Sequence, residues 1–207
     1  MSYDAPEQLP PLVGLTRRLE ETTALDGLAR LFQPFASVLV ADQGRADALQ
    51  GKWLGHALHP LMTFLPLGAW TSATILDVVG GRSSRGAAQR LVATGIVGAL
   101  PTALTGLAEF GNLSARDRRT ASLHAVSNQV ALGLFVASYR SRRRGRHVRG
   151  AALGMAAHLG TGLGGFLGGH LTEARKVSSA HPVFDEAGEE LPDPDTFTPP
   201  PEGLSTV

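Results

Sequence analysis

Four long apolar segments dominate the pattern of hydrophobic and polar positions along the chain. Each contains 19 to 24 residues, and they run over residues 61–79, 91–110, 121–139 and 148–171. An α-helix needs roughly 20 apolar residues to cross a hydrocarbon core of about 30 Å. A soluble four-helix bundle would show a polar stripe along each helix, whereas charged residues such as Asp77 and Glu109 stand near the segment ends. The pattern predicts an all-α protein, an integral membrane four-helix bundle over residues 56–173.

Proline and glycine refine these four segments. Pro60 opens the first segment, where its missing N–H costs nothing, and Pro101 predicts a kink in the second that neighbouring helices can accommodate. In the fourth segment Gly160, Gly164 and Gly168 recur every four residues. Small residues at this spacing let two membrane helices approach closely, so these glycines predict a helix-packing face.

Residues 1–55 are predicted to lie outside the hydrocarbon core. Large apolar residues recur there at helical spacing, first from Leu12 to Leu19 and then from Leu25 to Leu39. Pro34 should break or kink the second stripe. We expect short amphipathic helices that pack on the bundle or lie in the headgroup region, with a dedicated membrane-binding function as the alternative.

The two ends of the chain differ from its middle. Residues 174–207 finish with the acidic, proline-rich stretch FDEAGEELPDPDTFTPPPEGLSTV, a composition that cannot bury a core and predicts a disordered or loosely docked tail. The first residues lack a basic stretch followed by an apolar one, so no cleavable signal peptide is predicted. Membrane insertion is therefore expected to depend on the internal helices.

Basic residues are divided unevenly between the two sets of loops, although the net charge is only +1. Nine arginines follow the first and third segments and would lie on one face of the membrane, whereas seven basic residues near the other helix ends would lie on the opposite face. The positive-inside rule therefore favours both termini outside the cytoplasm, with the opposite orientation as the alternative. No arginine cluster alternates with aromatic side chains that could stack on bases, which argues against nucleic acid as a partner. The nine arginines are Arg82, Arg85, Arg90, Arg140, Arg142, Arg143, Arg144, Arg146 and Arg149.

The absence of cysteine limits the chemistry of any site. It excludes disulfides, cysteine-ligated iron–sulfur clusters and thiol nucleophiles, so a metal or haem would need histidine, methionine or carboxylate ligands. Because successive helices cross in opposite directions, one set of polar residues is expected at a single membrane surface. Its candidate ligands are His56, His59, Glu109, His124 and His170, with Thr105, Asn112 and Asn128 as residues that could orient them.

His158 is placed deeper in the fourth segment. It precedes His170 by 12 residues, which corresponds to roughly 18 Å along an ideal helix. An ionisable residue inside a membrane is by default a candidate functional residue. A neutral histidine that hydrogen-bonds across glycine-rich packing is the structural alternative.

Four stretches of the chain carry a resemblance to a known family: LGHALHPLMTFLPLGAW, LTGLAEF, SLHAVSNQVALGLF and GGFLGGHL. Over roughly residues 50–173 the chain resembles a bacterial family of predicted four-helix membrane proteins, the domain of unknown function 2231. The resemblance implies a multi-pass protein of the bacterial cytoplasmic membrane. Some members are joined to a Rieske-type iron–sulfur domain, which implies a redox setting. This chain departs from them because its tail has no cysteine, so a redox partner would be a separate protein.

Three functions remain open from the sequence. The first is membrane electron transfer or cofactor binding, with haem b held by His124 together with His59 or His170. The second is binding or transport of a metal by the histidines and Glu109, for which only His158, Thr102 and Thr105 suggest a polar path. The third is a cofactor-free membrane anchor or assembly partner. No catalytic motif is found that would support an enzyme.

Overall fold

The computed structural model describes residues 9–184. This part of the chain is helical and contains no β-strand, which confirms the all-α prediction. Eight α-helices follow one another in the described residues, and a π-helical turn at His170–Ala174 follows the last of them. They are α1 Pro11–Glu21, α2 Asp26–Val40, α3 Gln43–Gln50, α4 Leu58–Met62, α5 Phe64–Val79, α6 Arg85–Phe110, α7 Ala115–Arg143 and α8 His147–Gly169. Most of the predicted tail, residues 185–207, lies outside the described residues.

Two helical stretches within residues 9–184 are long and apolar enough to cross a membrane. They are Leu58–Val79, which joins α4 to α5, and α6. The helices Thr23–Val40 and Gln43–Gln50 would count as a third crossing only as one span bent by 109°. Of the long helices, α6 and α7 extend well beyond the apolar segments from which they were predicted, because arginine is a good helix former and continues both of them.

The four long helices pack as two antiparallel pairs that also contact each other. α5 lies along α6, α7 lies along α8, and α6 and α5 in turn contact α7 and α8. At their centre the rings of Trp70 and Phe135 stack with centroids 3.9 Å apart. Both rings are buried, together with the small residues Ala73, Ala88 and Ala157.

The second helix pair repeats the burial pattern of the first. Adding 65 to the buried positions Pro66, Trp70 and Ala73 of α5 gives Ala131, Phe135 and Ser138 of α7, which are all buried. Adding 62 to buried α6 positions gives buried α8 positions, as with Gly95 and Ala157 or Thr102 and Gly164. The difference of three residues arises in the shorter turn between α7 and α8. The two pairs therefore form an approximate internal repeat.

Equivalent residues that touch each other must lie at the axis that relates the two repeats. Trp70 and Phe135 are one such couple. A second is the buried ion pair of Asp77 and Arg142, in which Nη1 of the arginine donates to Oδ1 of the aspartate at 2.7 Å and Nη2 donates to Oδ2. His59 and His124, also 65 residues apart, are the third couple. The axis therefore runs along the helices, as in membrane proteins whose parallel repeats are related about the membrane normal.

The N-terminal helices pack against one end of the long helices. α1 contacts α7, and α2 contacts both α6 and α7. The ring of Phe32 in α2 lies against Phe110, with centroids 5.9 Å apart. Pro34 does not break α2, which continues from Asp26 to Val40. Pro34 is exposed, so the missing N–H of this proline lies on the outer face of α2 and not against the packed helices.

The described start of the predicted tail is packed against the same end. Val177 donates its N–H to the carbonyl oxygen of Leu171, and His181 donates its own to that of Gly55. An isolated β-bridge joins His56 to Ala180. Residues 177–181 therefore form a short docked segment that covers the histidine end of the helices.

Candidate functional site

His59 and His124 face each other between the two repeats. Their ring centroids are 6.0 Å apart and their planes meet edge to face at 82°. Nδ1 of His59 donates to the carbonyl oxygen of Thr102 at 2.9 Å, and Nδ1 of His124 donates to that of Gly164 at 2.7 Å. A carbonyl oxygen can only accept, so each neutral ring carries its hydrogen on Nδ1 and has its lone pair on Nε2.

Each histidine lies against a glycine of the partner helix. A Cβ at Gly106 would come within 2.7 Å of Cε1 of His59, and a Cβ at Gly168 within 2.9 Å of Cε1 of His124. The hydrogen-bonded carbonyl lies four residues before the glycine in both repeats. Glycine is therefore required at both places because any side chain would displace the ring.

Two of the three predicted orienting residues contact the pair. Oγ1 of Thr105 is 3.3 Å from Nδ1 of His59, and Nδ2 of Asn128 is 3.3 Å from Nε2 of His124. The third, Asn112, has its backbone N–H bonded to the carbonyl oxygen of Glu109. The amide of Asn128 also lies against Gly164, where a Cβ would come within 2.5 Å of it.

The predicted packing glycines of α8 face α7. A Cβ on Gly160 would lie 3.0 Å from the carbonyl oxygen of Ser127 and 3.1 Å from Cβ of Ala131. Gly164 and Gly168 meet Asn128 and His124 in the same way. This stripe fixes how closely α8 approaches α7, and therefore where the ring of His124 stands.

A cavity of about 660 Å³ opens beside the two histidines and is lined by all four long helices together with Phe32. Ligand cavities in proteins typically measure about 300–1,000 Å³. Its walls are mainly apolar and include equivalent residues of the two repeats, such as Leu67 and Leu132 or Ala103 and Gly165. The cavity therefore lies on the same axis as the histidine pair.

The other three predicted ligands are held elsewhere. Nδ1 of His56 bonds the carbonyl oxygen of Ala57 at 3.1 Å. Oε2 of Glu109 accepts from the N–H and the hydroxyl of Ser179 at 3.0 and 2.9 Å. Across residues 9–184 no group of three or more histidine, aspartate or glutamate side chains is arranged to hold a metal ion. The multi-ligand metal site expected from the five residues is therefore not assembled.

His170 is engaged by a glutamate that the sequence analysis did not single out. Glu20 of α1 is buried, with 3% of its side chain exposed. Its carboxylate accepts from Nε2 of His170 at 2.7 Å and from Nη2 of Arg116 at 2.7 Å, and Nε of Arg175 lies 3.5 Å away. Glu20 occurs on the same face of α1 as the buried Thr16, four residues earlier. That spacing is the only signal in the sequence, and it does not identify the partners.

Asp117 extends this ionic network on the α7 side. Its carboxylate accepts from the hydroxyl of Ser114 at 2.6 Å and from Nε of Arg175 at 2.8 Å. Burial opposes ionisation of Asp117, but these hydrogen bonds and the nearby arginines outweigh it and lower the pKa of Asp117 below its ordinary 3.8. The network ties α1, α7 and the end of α8 together.

His158 lies on the side of the aromatic stack. Its Nε2 is 2.8 Å from Oγ1 of Thr74, and its ring meets that of Phe135 edge to face with centroids 5.5 Å apart. Thr161 donates its hydroxyl to the carbonyl oxygen of His158 at 3.0 Å. These contacts connect α5, α7 and α8, which is the arrangement expected of a histidine that hydrogen-bonds across the helix packing.

A comparison with known families gives one match. The model of the family described as "Predicted membrane protein (DUF2231)" matches residues 55–181. This range covers the four long helices, both facing histidines and the docked segment. No curated protein and no solved structure matches the chain.

Proposed function

The chain belongs to this DUF2231 family of predicted membrane proteins, and we propose that it holds a haem-type cofactor between His59 and His124. The observation that carries the proposal is the geometry of the two rings. They face each other at 6.0 Å, and each has its Nδ1 hydrogen bonded to a carbonyl. Metal-ligating histidines usually donate their other ring N–H in this way, which fixes the ring and leaves Nε2 as the ligand.

The number of ligands favours haem over a single bound metal ion. Zinc sites use three or four protein ligands, whereas only two imidazoles meet here. A tetrapyrrole supplies nitrogen ligands of its own, so His59 and His124 would suffice to hold its metal. The apolar cavity of about 660 Å³ beside the rings supports the same proposal. A haem bound there would supply one-electron transfer, with a separate protein as redox partner.

The absorption spectrum of the purified protein tests this proposal. We expect a Soret band in detergent-solubilised protein from a haem-sufficient host, and its loss in His59→Ala and in His124→Ala. His56→Ala is the matched control, because that histidine lies at the same end and its imidazole bonds the carbonyl oxygen of the adjacent Ala57 rather than the His59–His124 pair. A folded wild-type protein without a Soret band would overturn the proposal and favour a cofactor-free membrane anchor or assembly partner.

We further propose that all four long helices cross the membrane, with both termini outside the cytoplasm. The support is that α7 and α8 pack along the two apolar helices, and that Arg82, Arg85 and the arginines of 140–149 lie at one end. Reporter fusions test this topology. Fusions after Ser84 and Gly145 should give fluorescent cytoplasmic reporters, and a fusion after Leu113 should give an active extracytoplasmic phosphatase. The reverse pattern would refute the orientation.

A further inference from the structure

The N-terminal helices present large apolar side chains away from the protein. On α2, Leu31, Phe35 and Val38 are 63%, 63% and 66% exposed. Their spacing of four and three residues places them on one stripe of the helix. Ala29 and Ala36, on the opposite side of α2, are buried against the protein. The exposed stripe is thus a defined face of α2 with no cover from residues 9–184.

Ion pairs fix which side of these helices faces outward. Nε of Arg119 donates to Asp26 at 2.6 Å at the start of α2, and Nη1 of Arg119 donates to the carbonyl oxygen of Glu20 at 2.7 Å at the end of α1. Arg116 holds the carboxylate of Glu20. Because these contacts clamp α1 and α2 onto α7, neither helix can turn its apolar side inward.

The position of α2 along the long helices is that of a membrane boundary. It contacts the last residue of α6, Phe110, through Phe32, and the first turns of α7 through Arg119. An apolar stripe at this level faces the zone where headgroups meet acyl chains. Amphipathic helices bind there by burying one face and leaving the polar face in water.

Charge around the stripe selects the type of headgroup. Arg17 and Arg18 on α1 and Arg30 on α2 are exposed. None of them joins an ion pair within the described chain. Arginine forms bidentate hydrogen bonds to phosphate, and basic residues near a membrane surface are attracted to anionic lipids. A second copy of the chain would instead bring like charges together.

We propose that α1 and α2 form a docking surface for anionic phospholipids of the same membrane. The stripe of Leu31, Phe35 and Val38 enters the acyl region, while Arg17, Arg18 and Arg30 bind headgroup phosphates. This surface is distinct from the histidine cavity and does not depend on a bound cofactor. Docking also positions α2 and α1 on the membrane. Phe32 of α2 lines the histidine cavity, and Glu20 of α1 binds His170.

Spin labelling of the full chain tests the proposal, because the absence of native cysteine makes each label unique. Leu31→Cys, Phe35→Cys and Val38→Cys are compared with Ser37→Cys, an exposed position on the polar side of the same helix. The labelled proteins are reconstituted in vesicles of phosphatidylcholine with phosphatidylglycerol. We expect collisions with oxygen relative to a water-soluble nickel complex to be several-fold more frequent at the three apolar positions than at Ser37.

The arginines are tested in the Phe35→Cys background. Combined Arg17→Gln, Arg18→Gln and Arg30→Gln should weaken docking in anionic vesicles by about fivefold per arginine, and omission of phosphatidylglycerol should weaken the parent in the same direction. Circular dichroism checks that each variant keeps its helical content.

Three results would overturn the proposal. The first is equal nickel access at Phe35 and Ser37, which would place the stripe in water. The second is spin–spin broadening at Phe35 that disappears on dilution with unlabelled protein, which would identify a second copy as the occupant. The third is docking that ignores both the arginines and the anionic lipid, which would leave no role for the headgroup phosphates.

Discussion

Removing the carboxylate of Asp77 should destabilise the protein strongly, because it would leave Arg142 charged and buried. The side chains are 10% and 1% exposed, respectively. Arg142 donates both Nη1 and Nη2 to Asp77 and places its Nε 3.2 Å from the hydroxyl of Ser138.

The size of the effect follows from the burial. Breaking a buried ion pair by removing one partner costs about 3–5 kcal/mol. For a chain of this length each kcal/mol corresponds to a shift in Tm of roughly 2–4 °C. Asp77→Asn should therefore lower Tm by roughly 6–20 °C. The matched control is Asp47→Asn, because the pair of Asp47 with Lys52 is partly exposed and exposed ion pairs contribute little to stability.

Thermal melting in one detergent, followed by circular dichroism at a fixed scan rate, compares these variants. A double variant in which Asp77→Arg accompanies Arg142→Asp adds a test of the internal repeat. Since the two positions are equivalent and face each other, the exchanged pair should recover part of the stability. Equal Tm values for Asp77→Asn and Asp47→Asn would refute the assigned energy of the pair. A swap less stable than either single change would refute the equivalence of the positions.

The remaining predictions concern packing and pH. Gly95→Ala should cost at least about 1–3 kcal/mol of unfolding free energy, because its Cβ would lie 2.2 Å from Nε1 of Trp70; Gly68→Ala, with no atom within 4 Å, should be close to neutral in the same melting assay. Trp70→Ala should lower the free energy of unfolding by about 3–5 kcal/mol. Trp70→Phe should retain most of the stability, because it preserves a stacked ring. The lowered pKa of Asp117 contributes stability that is present above its ordinary 3.8 and is lost as the pH falls through the lower folded value. Tm should therefore fall in that acidic range, and Asp117→Asn should lose this part of the dependence; a variant that keeps the full acid-induced fall would contradict the assignment.

The four long helices could be predicted from the sequence because each apolar segment has membrane-spanning length. The start of α6 and both ends of α7 could not, because Arg85 and Arg90 in α6 and the arginines before Ala121 and after Tyr139 in α7 continue these helices beyond the apolar segments. Hydropathy measures where a helix leaves the hydrocarbon core. It does not measure where the backbone ceases to be helical.

The crossing order of the helices predicts that the histidines lie at the same depth, but it does not predict which of their rings meet. Crossing order places His56, His59, His124 and His170 at one end of the long helices, whereas the rotation of each helix decides which rings meet. That rotation is fixed by contacts such as the one of His59 with Gly106, and a single glycine has no distinctive pattern in a chain with 25 of them. Glu20 was missed for a related reason, since its partners His170 and Arg116 come from helices far along the chain.

The internal repeat places three couples of equivalent residues at its axis, and in one of them, His59 and His124, the two residues are identical. Equivalent positions at an axis confront each other directly, so identical charges there would repel. The couple of Asp77 and Arg142 avoids this by opposite charge, and Trp70 stacks on Phe135 with little polar conflict. His59 and His124 are alike, and each keeps an acceptor nitrogen once its Nδ1 hydrogen is bonded to a carbonyl. Neither Nε2 can donate to the other; Nε2 of His124 lies 3.3 Å from Nδ2 of Asn128, and under the proposed function both Nε2 atoms would bind one metal. If the proposed cofactor binds on the axis, an identical pair is the favourable choice there, because both residues can then be ligands of the same metal.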